Sequence, residues 1–252
     1  RGSREEARRK VLAEIQQKLS LLRLPLRMEC FDISTIQGQA TVASMAVVID
    51  GEPVPSEYRH YRVKTVAGTD DYAALREVLC RRLRRGLEES RLPDFILIDG
   101  GKGQLGVLTT VIEDLGMAGR IDIAGIAKSR VKANVRGRVV ERSEERFFLP
   151  GRKNPVILRR GSAALFLLER LRDEAHRFAI THHRKVRSKS QLKSSLDDIP
   201  GVGPRRQRAL LKHFGSLKKV KAASLAELQA MPGLPRSIAE QVYRYFHPEA
   251  NI

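Results

Sequence analysis

Phe95-Ile96-Leu97-Ile98 carries no polar side chain, and Asp99-Gly100-Gly101-Lys102-Gly103-Gln104 follows it at once. A short apolar run of this kind reads as a buried strand. It ends in an acid and then in glycines, and a helical pattern begins at Gln104. An aspartate at the tip of a buried strand is costly unless a cation pairs with it or its carboxylate caps the turn. Which of the two holds decides what the chain does.

The other elements arrange themselves around this strand. Residues 4–22 place Leu12, Ile15, Leu19 and Leu22 on one helical face, and Pro25 ends that helix. The helix opens without a lead-in, as in a chain cut from something longer. Strands are expected at 28–34, 41–49 and 57–64, the second closed by the hairpin signal Asp50-Gly51. Residues 71–87 have helical periodicity. After the strand at 95–98 come a helix over 104–115, stopped by Gly116, and a buried strand at 121–127. Val139-Val140 and Arg146-Phe147-Phe148-Leu149 read as a hairpin, and a long helix capped by Ser162 runs to about residue 186. Three meandering strands, a helix, then strand–helix–strand make a mixed α/β sheet covered by helices.

The tail differs. Ile199-Pro200-Gly201-Val202-Gly203-Pro204 returns 32 residues later as Met231-Pro232-Gly233-Leu234-Pro235-Arg236, each copy lying between two helical pieces. This is the pattern of a paired helix-hairpin-helix. Its glycines, Gly201, Gly203 and Gly233, let backbone approach a phosphate, and the following helix starts with free N–H groups. Arg205, Arg206 and Arg208 add phosphate contacts in the first copy. The second copy has Pro235 in place of Gly203 and, lacking that N–H, should grip less well. The expected division is a connecting helix at 1–24, the sheet domain at 25–187, a basic, non-periodic linker at 188–194 and the tail domain at 195–252.

Charge narrows the partner. The net charge of +18 is the footprint of a polyanion binder. Aromatics are 5% of the chain, with no Trp, which argues for phosphate contact over base stacking. No apolar run is long enough to span a membrane, and Cys30 and Cys80 have the setting of reduced core thiols, so a cytoplasmic protein is expected.

Three groups far apart in sequence have the chemistry for a metal. Asp32 lies in the first strand, Asp99 ends the later one, and His176 sits on the last long helix, just outside its apolar arc. Two carboxylates and an imidazole at one sheet edge can hold Mg²⁺ or Mn²⁺. Taken singly, each aspartate reads first as a cap or turn residue, as strand-end acids usually are. Of Asp70-Asp71, one is expected to be the helix N-cap and the other a first-turn or metal-shell acid. Gly100-Gly101-Lys102-Gly103 lacks the Walker A pattern, so Lys102 is expected to bind nucleic-acid phosphate or to neutralise Asp99. The basic stretch 128–138, with Lys128 and Arg130, reads as DNA-binding surface. His182-His183 has no zinc partners, and no GxSxG is present.

Five ordered segments then resemble one family. They are Glu29-Cys30-Phe31-Asp32-Ile33-Ser34, Gly68-Thr69-Asp70-Asp71-Tyr72-Ala73-Ala74, Ile98-Asp99-Gly100-Gly101-Lys102-Gly103-Gln104, Pro155-Val156-Ile157-Leu158-Arg159 and Arg172-Asp173-Glu174-Ala175-His176-Arg177-Phe178-Ala179-Ile180. Together with the doubled tail they resemble UvrC, the incision subunit of bacterial nucleotide-excision repair. The resemblance implies an RNase H-like mixed sheet flanked by helices, followed by a small all-α tandem helix-hairpin-helix domain. It implies a Mg²⁺- or Mn²⁺-dependent endonuclease that cuts damaged double-stranded DNA 5′ to the lesion, with a UvrB–DNA complex as partner. The family's catalytic aspartates map onto Asp32 and Asp99, its histidine onto His176 and a further acid onto Asp71. The family's nuclease domain for the 3′ cut and its UvrB-binding segment have no counterpart in these residues, so both cuts are not expected from this chain alone. Thr35 stands where the family usually has His. A non-catalytic DNA-binding module on the same scaffold, or a junction resolvase, stays open as an alternative.

Overall fold

The computed structural model describes residues 2–35, 41–64 and 70–249. Gly68-Thr69 and the Thr35 side chain lie outside the described residues. The chain divides into two compact units, 1–181 and 182–252.

In the first unit, α1 (Gly2–Lys18) precedes β1 (Arg27–Thr35), β2 (Thr41–Ile49), the short β3 (Glu52–Pro53) and β4 (Arg59–Arg62). Then come α2 (Asp71–Glu88), β5 (Phe95–Asp99), α3 (Lys102–Asp114), β6 (Asp122–Val135), β7 (Arg138–Phe148) and α4 (Ala163–Asp197), whose residues from 182 on belong to the second unit. The sheet order is β3-β2-β1-β5-β6-β7, with β4 also paired to β2. β1 and β2 are antiparallel, while β1, β5 and β6 run parallel. The apolar run explains the place of β5: Phe95, Ile96, Leu97 and Ile98 are all buried, between two neighbouring strands. α2 turns Leu75, Val78, Leu79 and Leu83 into the same core.

One charged pair is buried with them. Arg82 Nε and Nη2 donate to Glu29 Oε1 and Oε2 at 2.7 and 3.0 Å, and Glu29 is fully buried. The fork-to-carboxylate geometry ties α2 to β1 at a fixed register.

Three expectations are corrected. The strand expected at 57–64 is shorter, because Pro55–Glu57 forms a 3₁₀ turn before it. The buried strand at 121–127 and the hairpin after it are one continuous antiparallel pair, so the basic stretch 128–138 is strand and turn. The backbone at 188–194 is helical and belongs to α4. Polar residues without periodicity read as linker, yet they form helix as readily where no apolar face has to be buried.

The second unit holds α5 (Pro204–Phe214), α6 (Leu217–Ala222), α7 (Leu225–Gln229) and α8 (Arg236–Phe246) around its own core, which includes Leu196, Ile199, Val202, Leu210, Val220 and Val242. Ser224 and Glu227 make the capping box that their spacing predicts. Gly215 takes φ 85° and stops α5.

Candidate metal centre at the sheet edge

Parallel pairing sets the site. Phe31 is the register partner of Ile98, so the next residues, Asp32 and Asp99, stand side by side where β5 ends. α4 brings the third group: His176 Nδ1 lies 3.2 Å from Asp32 Oδ2. Ligand atoms of Asp32, Asp99 and His176 all lie within 4.8 Å of one another. The three residues singled out from sequence are therefore brought together, and His176 reaches over the sheet rim as its edge position on the helix predicts. The aspartates are partly buried, with Asp32 only 13% exposed in its side chain, while His176 is 62% exposed.

The electrostatics follow from that crowding. Burial raises the Asp99 carboxyl above its ordinary value, and the Asp32 charge raises it further; Arg172 and His176 act against both. The Cys30 thiol, fully buried beneath, is pushed well up by burial and then by Asp99 and Asp32, which keeps it protonated and inert. Sequence reasoning gave Arg172 no role. It sits one helical turn before His176, with Nη1 2.7 Å from Glu145 Oε1. Glu145 is itself buried, on β7, and with burial it raises the Glu169 carboxyl. The i,i+4 spacing of Arg172 and His176 was the available signal; nothing in the sequence marked Glu145.

Other candidates fall around this centre. Asp70 is the N-cap of α2, its Oδ1 accepting the Ala73 N–H at 3.1 Å, so Asp71 is the first-turn acid and is exposed. It lies outside the group of three. A Cβ on Gly103 would collide with the Tyr72 hydroxyl, so the first turns of α2 and α3 lie together beside the loop that leaves Asp99. Lys102 does not neutralise Asp99: its Nζ donates to the Lys153 carbonyl at 2.7 Å, and Arg172 supplies the opposing charge. Gly125 on β6 has a separate reason to be glycine, since a Cβ there would sit 2.6 Å from the Gly100 carbonyl oxygen. That close approach seats the loop carrying Asp99 directly on the neighbouring strand.

In the second unit both glycine turns face one hollow of about 610 Å³, lined by Gly203, Pro204, Arg205, Arg206, Ala209, Pro232 and Gly233. Gly201 takes φ 80°, a left-handed conformation, and Arg206 Nη1 donates to its carbonyl at 2.6 Å, so Arg206 braces the turn. Gly203 has an ordinary φ of −79° and no atom within 4 Å of a Cβ built on it. Among the described residues no neighbour requires glycine there, where it is the N-cap of α5.

Residues 16–180 match the family model described as the UvrC RNAse H endonuclease domain. The chain belongs to the UvrC family. Residues 193–246 match the SAM-like helix-hairpin-helix tandem. UvrABC system protein C of Syntrophotalea carbinolica is 67% identical over 246 residues, covering 98% of this chain and 40% of that protein. UvrABC system protein C of Geobacter metallireducens is 50% identical over 244 residues, covering 97% of this chain and 40% of that one. The chain thus spans about 40% of the length of these UvrC relatives. A crystal structure of Ciona intestinalis endonuclease V with DNA aligns at a TM-score of 0.38 and 12% identity, over 73% of this chain and 98% of that one. Among the described residues, Asp32, Asp99 and His176 are the one group of three or more acids, histidines or cysteines close enough to hold a metal ion. No helix among the described residues is long and apolar enough to cross a membrane.

Proposed function

We propose that this chain is a metal-dependent DNA endonuclease that cuts a phosphodiester 5′ to a lesion during nucleotide-excision repair. The observation that carries the reading is the meeting of Asp32, Asp99 and His176 within 4.8 Å in a chain of the UvrC family. The donor set fits a hard divalent ion. Two carboxylates crowded together at a half-buried sheet edge, one of them already raised by burial and by the other's charge, are relieved by a cation. Oxygen donors suit Mg²⁺ or Mn²⁺, and the imidazole favours Mn²⁺ slightly. Such an ion, when bound, polarises a phosphoryl oxygen and lowers the pKa of attacking water.

The chain's own residues do the rest. Asp32 and Asp99 hold the ion, and Arg172 keeps their local charge balanced. His176 acts as a further ligand or as a general acid/base, its ring exposed towards the substrate side. Asp71 stands at the start of α2 as an outer acid. Lys102, Lys128 and Arg130 bind backbone phosphate near the cut. Gly201, Gly203, Gly233 and Arg205 hold the duplex through the second unit, while Arg206 props the first turn. A UvrB–DNA complex supplies the lesion, and the reaction takes place in the cytoplasm.

The test is nicking of supercoiled plasmid by the chain with Mn²⁺, Mg²⁺ or EDTA. Ion-dependent relaxation supports the reading. No cutting with either ion, together with no shift in melting temperature, leaves a non-catalytic DNA-binding module.

A second expectation concerns the tail. A Cβ at Gly203 meets no neighbour within 4 Å, so Gly203→Ala should cost no more than the loss of a favourable N-cap, about 1 kcal/mol, while weakening duplex binding by about tenfold, the worth of one or two charge-assisted phosphate contacts. Fluorescence anisotropy against a melting curve checks it. An unchanged affinity removes this turn from the DNA interface.

A further inference from the structure

β6 and β7 continue where the sheet around them ends. β5 stops at Asp99, whose register partner is Ile126. β6 runs on to Val135 and returns from Arg138 as β7, paired without a break from Ala127↔Arg146 to Val135↔Arg138. At about 3.3 Å per residue, the nine residues of β6 past Ile126 make an arm roughly 30 Å long. Its tip is Arg136-Gly137, with φ of 51° and 80°. Two successive positive φ values mark a type I′ turn, whose twist matches that of a two-stranded ribbon.

Burial changes at the same point. Residues 121–126 are buried, whereas Lys128, Arg130, Lys132, Arg136, Glu141, Arg142 and Ser143 are exposed. Over 127–146 the sequence has seven Lys and Arg against three Glu. The period of two places Lys128, Arg130 and Lys132 on one face and Arg142 on the other, so neither face is a purely acidic or apolar wall. Val139 near the tip is 71% exposed. At the base, Glu145 stands opposite Lys128 and takes Arg172 at 2.7 Å. Arg172 is one turn from His176, so the arm is tied to the helix that carries part of the metal centre. The arm also leaves from the end of β5 that bears Asp99.

We propose that this ribbon enters the major groove of duplex DNA beside the strand presented to Asp32 and Asp99, and that it fixes the register of the duplex against the site. The identity of the partner rests on the endonuclease reading above. The groove is about 12 Å wide and admits a two-stranded β-ribbon. Basic side chains on both faces reach the phosphates of both groove walls, which positions the protein without selecting sequence. The exposed Val139 gives the tip an apolar surface for the groove floor. A bent or gapped duplex keeps its groove here, whereas a single strand offers none.

The experiment compares duplex and single-stranded DNA of one sequence by anisotropy in EDTA, so that cutting plays no part. The first variant replaces residues 130–143 with Asn-Gly. This closes the hairpin across Ser129↔Glu144, a pair with the same parity as the native Val135↔Arg138. The second, Arg130→Glu/Lys132→Glu/Arg136→Glu, keeps the ribbon whole and decides the matter if the shortened chain does not fold. Each should weaken duplex binding at least tenfold and change single-strand binding less than twofold. The triple variant should also flatten the salt dependence, by about 0.9 in log–log slope for each phosphate that it no longer neutralises. Unchanged duplex affinity in the triple variant overturns the inference, and so does an equal loss on both substrates. Failure of the unaltered chain to nick counts against the endonuclease reading and leaves this comparison standing.

Discussion

Asp32→Asn is expected to abolish ion-dependent nicking while leaving the fold and DNA affinity in place. Asparagine keeps the shape of the partly buried side chain and removes its charge, so one of two carboxylates that would hold the ion becomes a poor donor. Losing several kcal/mol of charge stabilisation at the reacting phosphate corresponds to about a thousand-fold in rate. The same change relieves Asp99. Its carboxyl is raised in the folded protein by burial and by Asp32, so its ionised form opposes folding. That penalty is fully present above the raised folded value and fades as pH falls through it towards the ordinary carboxylate range. Without the Asp32 charge the penalty shrinks, and the variant should melt no lower than the parent near neutral pH. Plasmid relaxation and melting curves on the same preparations check both halves. Retained cutting would remove Asp32 from the reaction, and a large fall in melting temperature would make it a structural residue.

Arg82→Ala is expected to carry the largest stability loss of any single change at a residue remote from the metal centre. It strips Glu29, fully buried, of a two-pronged partner, and it frees the Arg91 carbonyl that Nη2 also serves. Breaking a buried ion pair from one side costs about 3–5 kcal/mol, since the remaining charge cannot reach water. Arg27 Nε, 3.6 Å from Glu29 Oε2, offsets only part of that. For a unit of this size the melting temperature should fall by roughly 10 °C. Replacing both partners with leucine should restore most of it, because no buried charge then remains. A loss under about 1 kcal/mol would mean that Glu29 relaxes to solvent and that the pair is not what fixes α2 on β1.

Much of this architecture was legible in the residues. β5 declares itself because four apolar residues in a row have few other uses, and β2 was bounded correctly, with the Asp50-Gly51 turn closing it. The site was legible only in pieces. Asp32 and Asp99 were marked as acids on buried strands, but their adjacency depends on β1 and β5 pairing in parallel, which no local pattern states. The ribbon was legible only in part. Val139-Val140 and residues 146–149 read as a hairpin, but 128–138 is so rich in charge that it read as binding surface and not as strand. The same holds for α4 at 188–194, a helical backbone whose sequence has no apolar stripe. Glu145 was invisible because its role depends on Arg172, 27 residues later in the chain.

The central claim is that Asp32, Asp99 and His176 form one cation site. Calorimetric titration of Mn²⁺ into the parent chain and into Asp99→Asn tests it most directly. Saturable binding in the parent, weakened by at least about a hundred-fold in the variant, is the predicted result, since a direct ligand should be worth no less than its outer-shell partners. An isotherm identical in both proteins would contradict it.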